Sequence, residues 1–457
     1  MANERKLFGT DGIRGIANEY PMTAEVAVRL GQAVAHHVQK AAEKSPLGHR
    51  VRILIGKDTR ISGYMFESSL MAGIMSMGAD VQLVGPLPTP GISFLTTGMR
   101  ADAGIVISAS HNPYHDNGIK IFGRDGFKLP DADELSIEHS VLAERPPVSD
   151  SENIGRATRI DDATGRYTEF LKNTFPKERT LEGLRIVLDC ANGAAYKVAP
   201  AVLRELGAEV FTLGVAPDGY NINHKCGSLY PDTVGARVRE TRADLGITLD
   251  GDADRVILTD ENGRVVDGDR TIALCAMALK EAGDLNNDTV VTTVMSNIGL
   301  EVALKEQGIK LERSAVGDRY VVERMRKGGH SLGGEQSGHL IFLDHTTTGD
   351  GMLAALQVLA IMTETGKPLS EIAKVMTEFP QVLVNIEVTS KPPLEQLDVF
   401  QSALKKVEDD LGETGRVLVR YSGTEPKARV MVEGPELALV QVHAETLAAI
   451  LKKAIGG

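Results

Sequence analysis

Aromatic residues are scarce in this sequence. Tryptophan is absent from the 457 residues, and Phe, Trp and Tyr together account for only 4% of them. Proteins that bind single-stranded nucleic acid stack the bases on aromatic rings, so this composition argues against such a platform. Positive charge is also in deficit, with 50 Lys and Arg against 62 Asp and Glu and a formal net charge of −12. The sequence therefore predicts no nucleic-acid partner, although a local basic pocket would still suit a small phosphorylated ligand.

Cysteine is equally rare. The three cysteines are Cys190, Cys226 and Cys275, and no two of them have CxxC spacing. Neither a disulfide framework nor a zinc cluster is indicated, which fits a reducing compartment. No apolar run approaches the roughly 18 residues of a membrane span, and the start MANERKLFGTDG lacks the apolar core of a signal peptide. We therefore predict a cytoplasmic protein with no membrane partner.

The length predicts several domains, since one domain holds roughly 100 to 200 residues. Helical periodicity and short β-rich runs alternate through most of the chain, which predicts βαβ units and mostly parallel sheets. The predicted strands include residues 51–56, 184–188, 209–213, 245–249, 289–294 and 339–342. From about residue 380 the pattern changes, and it predicts a smaller α+β domain.

The most informative segment is SASHNP at residues 108–113, between the apolar run AGIVI and the polar run DNGIK. Ser110 thus follows a buried strand, at the edge of the sheet where α/β proteins bind ligands. The segment has no GxSxG elbow and no Ser-His-Asp order is evident, so acyl transfer is a weak interpretation. On local physics alone, a simple turn formed by Ser110 and Asn112 before Pro113 is as good an explanation.

Three aspartates alternate in DGDADR at residues 250–255, between two strand-like runs. Asp250, Asp252 and Asp254 can converge on one hard cation, and Mg²⁺ prefers a few carboxylates together with phosphate oxygen. An EF-hand is one alternative, but Arg255 occupies the position of its essential glycine and the flanks resemble strands. A solvated acidic turn without metal is the other, and the mutual repulsion of the carboxylates disfavours it.

The segment GGEQSGH at residues 333–339 places hydrogen-bonding groups between glycines. Glu335 and Ser337 suit the hydroxyls of a sugar, which a small number of well-placed polar groups can orient. His339 is either a functional group or a hydrogen-bonded core histidine at the start of the run LIF. Its position alone favours the core.

A fourth polar loop, RYSGTEPKAR at residues 420–429, lies between two predicted strands. Its side chains and exposed backbone N–H groups can form an anion cradle, because guanidinium binds phosphate in bidentate fashion. The side chains concerned are Arg420, Ser422, Thr424 and Arg429. The alternative is a hairpin turn whose charges face water.

Two basic loops occur earlier in the chain. GTDGIRG at residues 9–15 presents Arg14 in a glycine-rich segment. GKDTR at residues 56–60 follows a predicted strand, so Lys57 or Arg60 lies either near Ser110 or on the surface. The pattern alone favours neither outcome.

Together, the loops GTDGIRG, SASHNP, DGDADR, GEQSGH and RYSGTEP resemble those of the α-D-phosphohexomutase superfamily, in the same order and across nearly the whole chain. The resemblance implies an α/β protein with four domains around a central cleft. Three are expected to be α/β with mixed sheets, and the C-terminal one α+β, similar to a TATA-box-binding fold. We place them at 1–155, 156–258, 259–375 and 376–457, carrying in turn the phosphoserine, metal-binding, sugar-binding and phosphate-binding loops.

The resemblance also implies roles for individual residues. Ser110 would carry a phosphoryl group, and that group would complete a site for one Mg²⁺ per subunit formed by Asp250, Asp252 and Asp254. The basic groups around the phosphoserine would be Lys120, Arg14 and Arg255, and His339 is a candidate for proton transfer. The sugar would be held by Glu335 and Ser337. The non-reacting phosphate would be bound by Arg420, Ser422, Gly423, Thr424 and Arg429.

Finer features select among the members of that superfamily. Gln336, the run GDRY at 317–320, and NIN at 221–223 followed by CGS at 226–228 resemble the members that act on glucosamine phosphates. Those interconvert glucosamine 6-phosphate and glucosamine 1-phosphate through a hexosamine 1,6-bisphosphate, and supply UDP-N-acetylglucosamine synthesis. The alternative is a phosphomannomutase/phosphoglucomutase acting on another hexose phosphate. Its sugar loop more often reads GEMSGH, and a histidine commonly occupies the neighbourhood of Asp318.

Interpretations from other classes are a phosphosugar-binding regulatory protein without catalysis and a calcium sensor. Ser110, the three aspartates and both cationic loops disfavour the first, and the missing loop glycine disfavours the second. A homodimer is expected from the resemblance alone, without a residue-level argument.

Overall fold

In the computed structural model the described residues are 6–9, 11–44, 49–143, 148–422 and 426–456. Within these ranges the chain forms four β-sheets, each with its own helices. Each sheet is the centre of one domain, so the predicted four-domain α/β architecture is confirmed. Among the helices of these ranges, none has both the length and the apolar composition needed to cross a bilayer.

The first domain has a mixed sheet and four helices in its described residues. Its strands are β1 (Phe8–Gly9), β2 (Gly12–Ile16), β3 (Arg52–Lys57), β4 (Asp80–Pro86), β5 (Ala103–Ile107), β6 (Asp116–Gly123) and β7 (Ala157–Arg159). Its helices are α1 (Ala24–Lys44), α2 (Gly63–Ser76), α3 (Thr89–Gly98) and α4 (Asp131–Leu142). The sheet order is β1-β2-β6-β5-β3-β4-β7. β5 is buried along its whole length, as a central strand covered on both faces should be.

The second domain contains β8 (Arg185–Asp189), β9 (Glu209–Leu213), β10 (Leu245–Leu249), β11 (Val256–Asp260) and β12 (Val265–Val266), with α5 (Ala163–Asn173), α6 (Val198–Glu205) and α7 (Pro231–Thr241). Its sheet order is β12-β11-β10-β8-β9. β10 and β11 form an antiparallel hairpin, whereas β8 runs parallel to both β9 and β10.

The third domain contains β13 (Thr289–Thr293), β14 (Lys310–Ser314), β15 (Leu332–Gly334) and β16 (Leu340–Phe342). Its helices are α8 (Gly268–Ala282), α9 (Ile298–Glu306), α10 (Asp318–Gly328), α11 (Gly351–Thr365) and α12 (Leu369–Ile372). The fourth domain has β17 (Gln381–Glu387), β18 (Arg416–Tyr421) and β19 (Lys427–Glu433), with α13 (Asp398–Leu411) and α14 (Leu437–Ile455). Its sheet is antiparallel, in the order β17-β19-β18, as expected for an α+β unit.

The predicted domain boundaries remain predictions, but the pairing of the strands shows where the first two sheets end. β7 pairs with β4, so the first sheet extends to Arg159, past the boundary placed at residue 155. β12 pairs with β11, so the second sheet extends to Val266, past the boundary placed at residue 258. Both extensions are edge strands, and their pairing is a long-range contact that local sequence pattern does not reveal.

The strand ends determine where the predicted loops lie. Ser110 follows the end of β5, residues 250–255 join β10 to β11, and residues 335–339 join β15 to β16. Two of these loops contain a left-handed residue that is not glycine, Ser110 at φ 53° and Ala253 at φ 55°. Such backbone strain persists only where the surrounding contacts enforce it, and it is common at functional sites.

The third and fourth domains meet at the turn after β13. The Asn297 side chain pairs with both backbone groups of Phe379, accepting its N–H at 3.0 Å and donating to its carbonyl at 2.9 Å. Arg416 donates to the Ser296 carbonyl at 2.7 Å and forms an ion pair with the buried Glu433. These contacts hold the chain where it passes from one domain to the next.

Asp269 in α8 makes this junction sensitive to pH. It is fully buried and accepts the Asn297 N–H at 2.7 Å, and burial raises its pKa to about 7. The folded protein therefore keeps this carboxyl protonated where the unfolded chain is already ionised. The free energy of unfolding should fall as pH rises from about 4 to about 7, by at most about 1.4 kcal/mol per pH unit for this group.

Asp269→Asn should remove that part of the pH dependence, because an amide does not titrate. Melting temperatures of variant and wild type, compared between about pH 5 and pH 8, would measure the difference. The exposed Asp288→Asn in the same domain is the control. Parallel profiles for Asp269→Asn and the wild type would contradict the prediction.

Candidate active site

Ser110 is buried in a loop that hydrogen bonds within the first domain hold in place. The residue is only 1% exposed, and its backbone N–H donates to Ser108 Oγ at 2.9 Å. Ser108 in turn donates to Asp58 Oδ2 at 2.6 Å. The Ser110 hydroxyl donates to Asp250 Oδ2 at 2.6 Å, so the loops of the first and second domains meet at this oxygen. The predicted turn is present as well, since the Asn112 N–H bonds the Ala109 carbonyl.

Arg60 stabilises the same loop through hydrogen bonds to its backbone. Arg60 is fully buried, and its Nε donates a hydrogen bond to Asp58 Oδ2 at 2.8 Å. Its Nη2 donates to the backbone carbonyls of Ser110 and Asn112, at 2.8 and 2.9 Å. Asn223 of the second domain donates to the same two carbonyls. Lys57 forms an ion pair with Glu67 at 2.5 Å. The sequence placed Lys57 or Arg60 either near Ser110 or on the surface. Arg60 lies next to Ser110, where it stabilises the loop.

The three aspartates converge as the sequence predicted. Asp250, Asp252 and Asp254 are buried, and each offers an oxygen within 4.8 Å of the others. The loop joins two antiparallel strands, so the helix–loop–helix of an EF-hand is excluded. Burial and the charges of Asp254 and Asp252 raise the pKa of Asp250 well above its ordinary value. A divalent cation would offset the negative charge of the three clustered carboxylates.

The donor set fits a hard cation such as Mg²⁺. Oδ1 of Asp252 is buried and accepts no hydrogen bond from the described residues, whereas Oδ1 of Asp254 lies 3.6 Å from His339 Nδ1. Thr89, at the start of α3, donates to Asp252 Oδ2 at 2.7 Å and fixes its rotamer. Carboxylate oxygens without a donor are costly to bury unless a cation binds them. The cluster is therefore consistent with a metal site.

Lys120 on β6 faces the aspartates. The residue is 1% exposed, and Nζ lies 3.1 Å from Asp252 Oδ2 and 3.3 Å from both Asp254 Oδ2 and Asp11 Oδ2. Burial alone would lower its pKa, but the three carboxylates outweigh burial and raise it well above the ordinary value. Lys120 is therefore a fixed positive charge at neutral pH.

Arg14 and Arg255 add further positive charge near the aspartate loop. Arg14 pairs with Asp11, and Arg255 Nη1 lies 3.1 Å from His111 Nδ1. Burial and the charges of Arg255 and Arg14 lower the pKa of His111 to about 4. His111 is therefore neutral at physiological pH, and its Nδ1 accepts the hydrogen bond from Arg255.

His339 is both buried and part of the charged wall. Its Nδ1 lies 3.6 Å from Asp254 Oδ1, and its Nε2 lies 3.5 Å from Asp318 Oδ2. The Gly349 N–H donates to Nε2 at 3.1 Å, so the proton of the neutral ring sits on Nδ1 and faces Asp254. Burial lowers the pKa of His339, but the carboxylates of Asp254 and Asp318 more than compensate and raise it overall.

Arg14, Asp254, Arg255 and His339 also line a cavity, which we call the cleft. Its volume is about 410 Å³, and its lining includes Asp11, Arg14, Asp254, Arg255, Asp318, Glu335 and His339. Glu335 Oε1 accepts the Gly317 N–H at 3.2 Å, and its Oε2 accepts from Ser337 at 3.3 Å. Loops from the first three domains thus meet around a volume suited to a small polar ligand.

The loop of the fourth domain that the sequence predicts to bind phosphate is not part of this lining among the described residues. Arg420 and Arg429 are cross-strand partners on β18 and β19, and burial and the charge of Arg429 lower the pKa of Arg420. Like charges in this arrangement are unfavourable without an anion between them. Ser422 is buried and its N–H bonds the Lys427 carbonyl at 2.8 Å. Gly423 and Thr424 lie outside the described residues.

Sequence reasoning missed the roles of three charged residues, namely Asp11 and Asp318, which line the cleft, and Lys128, which contacts both of them. Asp11 binds Arg14, Lys120 and Lys128, and Lys128 Nζ also lies 2.6 Å from Asp318 Oδ2. The motif GTDGIRG contains Asp11, so its position was available from the sequence. Lys128 lies in an ordinary loop with no comparable motif, and only the fold brings it to the cleft.

A second contact fixes the third domain against the first. Arg319, next to Asp318 on α10, forms two bonds with the buried Glu134 of α4, at 2.5 and 2.9 Å, and also pairs with Asp131. A guanidinium bound by two oxygens of one carboxylate is both strong and geometrically specific. It holds the start of α10, and so Asp318, in place.

Comparison with family models covers the chain in four successive segments. The "Phosphoglucomutase/phosphomannomutase, alpha/beta/alpha domain" models match at residues 5–147 for domain I, 165–263 for domain II and 267–379 for domain III. The "Phosphoglucomutase/phosphomannomutase, C-terminal domain" model matches at residues 383–450.

Curated relatives match over almost the full length. The chain is 58% identical over 457 residues to the phosphoglucosamine mutase of Syntrophotalea carbinolica, covering 99% of this chain and 98% of that one. It is 60% identical over 456 residues to the phosphoglucosamine mutase of Myxococcus xanthus, again covering 99% and 98%.

Solved structures share the fold. A phosphoglucomutase/phosphomannomutase family protein from Burkholderia thailandensis matches with a TM-score of 0.81 at 22% identity, covering 97% of each chain. The N-acetylphosphoglucosamine mutase of Aspergillus fumigatus, in complex with GlcNAc-6P and magnesium, matches with a TM-score of 0.68 at 17% identity, covering 99% of this chain and 96% of that one. At such identities these matches establish the fold alone.

Proposed function

This chain belongs to the phosphoglucosamine mutases of the phosphoglucomutase/phosphomannomutase family, and from that premise we propose how its cleft moves a phosphoryl group along a hexosamine. It is an isomerase that interconverts glucosamine 6-phosphate and glucosamine 1-phosphate. The observation that carries the residue-level proposal is the 2.6 Å contact between Ser110 Oγ and Asp250 Oδ2. It sets a serine hydroxyl against a carboxylate cluster suited to a divalent cation.

In the proposed cycle Ser110 begins as phosphoserine. The 1-hydroxyl of glucosamine 6-phosphate attacks phosphorus, a new O–P bond forms, and the bond from phosphorus to Ser110 Oγ breaks. The hexosamine 1,6-bisphosphate then turns around in the cleft, and Ser110 Oγ takes the phosphoryl group from position 6. Two in-line transfers replace one difficult migration, and the phosphoserine is restored.

We assign Mg²⁺ to Asp250, Asp252 and Asp254, with an oxygen of the Ser110 phosphoryl group completing the site. When bound, the ion would neutralise charge on the transferring phosphoryl oxygens. The buried Oδ1 atom of Asp252, which accepts no hydrogen bond from the described residues, and the convergence of the three carboxylates support this assignment.

The side chains around the phosphoserine have two roles, binding the phosphoryl oxygens and carrying a proton. Lys120, Arg14 and Arg255 bind phosphoryl oxygens as fixed charges, and the raised pKa of Lys120 supports this role because it keeps the ammonium protonated. His339 takes the proton of the attacking hydroxyl in its neutral form, which its position on the cleft wall supports. Both ring nitrogens have partners in the resting protein, so the transfer requires release of the Gly349 N–H.

The sugar and its second phosphate are held from the other two domains. Glu335 and Ser337 bind sugar hydroxyls, and the loop with Arg420, Ser422, Gly423, Thr424 and Arg429 binds the non-reacting phosphate. Because the described part of this loop does not line the cleft, we infer that the fourth domain closes onto the substrate and retains the bisphosphate. Hydrogen exchange of residues 416–421 that is the same with and without phosphosugar would contradict closure.

We further propose that the enzyme works in the cytoplasm as a homodimer and that glucosamine 1-phosphate goes on to UDP-N-acetylglucosamine synthesis. The free thiols Cys190, Cys226 and Cys275 support a reducing compartment. The dimer and the pathway have the support of the family resemblance only.

A substrate panel tests the assignment. Protein phosphorylated with glucose 1,6-bisphosphate should show its highest kcat/KM with glucosamine 6-phosphate, ahead of glucose and mannose 6-phosphates. A preference for mannose or glucose would favour the second candidate, a phosphomannomutase/phosphoglucomutase with the same machinery. Intact mass distinguishes a regulatory binder, which would not gain a phosphoryl group.

Arg429→Ala should raise KM for glucosamine 6-phosphate about 10- to 100-fold, because a charge-assisted hydrogen bond to phosphate is worth about 1.5–3 kcal/mol. A steady-state coupled assay measures the change. Arg237→Ala is the matched control, since Arg237 lies on α7 and pairs only at the surface with Glu240. An unaltered KM for Arg429→Ala would mean that this arginine does not bind the substrate phosphate.

A further inference from the structure

The cleft wall contains a carboxylate that the phosphoryl-transfer scheme does not use. Asp318 is the first residue of α10 and lines the cleft, with a side chain 12% exposed. We propose that Asp318 recognises the ammonium group on carbon 2 of the substrate and so selects amino sugars over other hexose phosphates. This inference rests on the proposed function, and it names a specificity determinant of the same site.

The geometry of the substrate restricts where this ammonium can lie. The attacking hydroxyl is on carbon 1 and must reach the phosphoryl group of Ser110, beside the aspartate loop. The amino group is on the adjacent carbon, so it lies against the nearest part of the cleft wall. Only one imidazole ring separates Asp318 from that loop, because His339 contacts Asp254 through Nδ1 and Asp318 through Nε2, at 3.6 and 3.5 Å.

The other carboxylates of the cleft have different partners. Asp11 already binds three cations, Arg14, Lys120 and Lys128. Asp254 belongs to the cluster assigned to the metal. Glu335 accepts hydrogen bonds from the neutral donors Gly317 and Ser337, as a group that orients hydroxyls does. Asp318 is the remaining acidic side chain in the described lining of the cleft.

Asp318 has room for one more donor. Its Oδ2 binds Lys128 at 2.6 Å, whereas its Oδ1 accepts the Arg319 N–H at 2.8 Å. An ionised carboxylate offers about four acceptor positions, so each oxygen can accept a further hydrogen bond. An ammonium donates three hydrogen bonds and brings a positive charge, whereas a hydroxyl at the same carbon brings none. The carboxylate therefore favours the amino sugar over glucose or mannose phosphates.

The position of Asp318 is rigid enough for such selection. The neighbouring Arg319 is held by Glu134 of the first domain at 2.5 and 2.9 Å, and Lys128 of the same domain holds the Asp318 carboxylate. Selectivity requires groups that do not move to suit the wrong ligand. Contacts from two domains provide this here.

The test compares two substrates on the full-length enzyme phosphorylated with glucose 1,6-bisphosphate. Asp318→Asn should lower the ratio of kcat/KM for glucosamine 6-phosphate to kcat/KM for glucose 6-phosphate about 10- to 100-fold, since any effect through Lys128 or His339 falls equally on both sugars. Asp318→Ser should give the same selective loss if Asp318→Asn folds poorly. Glu335→Gln should lower both activities together, since hydroxyls are common to both sugars.

Asp131→Asn is the matched control. It removes one partner of Arg319 on the same interface but leaves Asp318 in place, so its effect should be equal for the two sugars. A parallel loss of both activities in Asp318→Asn and Asp318→Ser, or a selective loss in Glu335→Gln, would overturn the inference. Wild-type protein that converts neither sugar would overturn the mutase assignment itself, and this inference with it.

Discussion

Ser110→Ala is expected to lower mutase kcat by at least about 10⁴-fold while leaving the protein folded. The hydroxyl is the proposed acceptor and donor of the phosphoryl group, and no neighbouring group replaces it in the scheme. Its removal costs the fold the hydrogen bond to Asp250 at 2.6 Å and a longer one with His111 Nδ1 at 3.4 Å, each worth about 1 kcal/mol or less. The coupled assay measures turnover, and the melting temperature verifies folding.

Labelled phosphate gives a second measurement that does not depend on turnover. Wild-type protein incubated with labelled 1,6-bisphosphate should acquire label on Ser110, and Ser110→Ala should acquire none. Ser108→Ala is the matched control, since Ser108 lies in the same loop but bonds Asp58. It should still accept label. Normal turnover by Ser110→Ala would refute the phosphoserine mechanism.

Asp252→Asn is expected to lower kcat by about 10² to 10⁴-fold and to weaken the Mg²⁺ dependence of activity. Asp252 lies between Thr89 and Lys120, at 2.7 and 3.1 Å, and its buried Oδ1 accepts no hydrogen bond from the described residues. An amide there removes an anionic ligand without changing the shape of the loop. Lys120 keeps its contacts with Asp254 and Asp11.

Metal binding can be followed without catalysis. Mg²⁺ should raise the melting temperature of the wild type, since a ligand that binds the folded state stabilises it, and the rise should shrink in Asp252→Asn. Asp260→Asn is the control, because Asp260 is a buried aspartate at the end of β11 that caps the next turn. A Mg²⁺ titration of Asp252→Asn that matches the wild type would exclude Asp252 as a ligand.

Much of the site was predictable because it lies where strands end. Ser110, the aspartate loop and Glu335 all follow or join short apolar runs, which local pattern identifies as buried strands. The convergence of Asp250, Asp252 and Asp254 also follows from local spacing, since alternate residues of one tight loop can point to one centre.

What escaped prediction depends on contacts between distant segments. Lys128 and Asp318 are far apart in sequence but 2.6 Å apart in space, and although Asp318 lies in the run GDRY, that run gives no indication of its contact with Lys128. The sequence placed Arg60 either near Ser110 or on the surface, and only the fold shows that it supports the loop carbonyls. The predicted boundary puts residues 157–159 in the second domain, whereas in the structure they form β7, whose pairing with β4 is not visible in the local sequence.

The bond between Arg319 and Glu134 bears on how these enzymes can be recombined. Combining a first domain that has Glu134 with a third domain that lacks Arg319 would leave a buried carboxylate without its guanidinium partner, and loss of one partner from such a pair typically costs about 3–5 kcal/mol. Chimeras between relatives should tolerate exchange of the first and third domains only as a unit, with both partners taken from one parent.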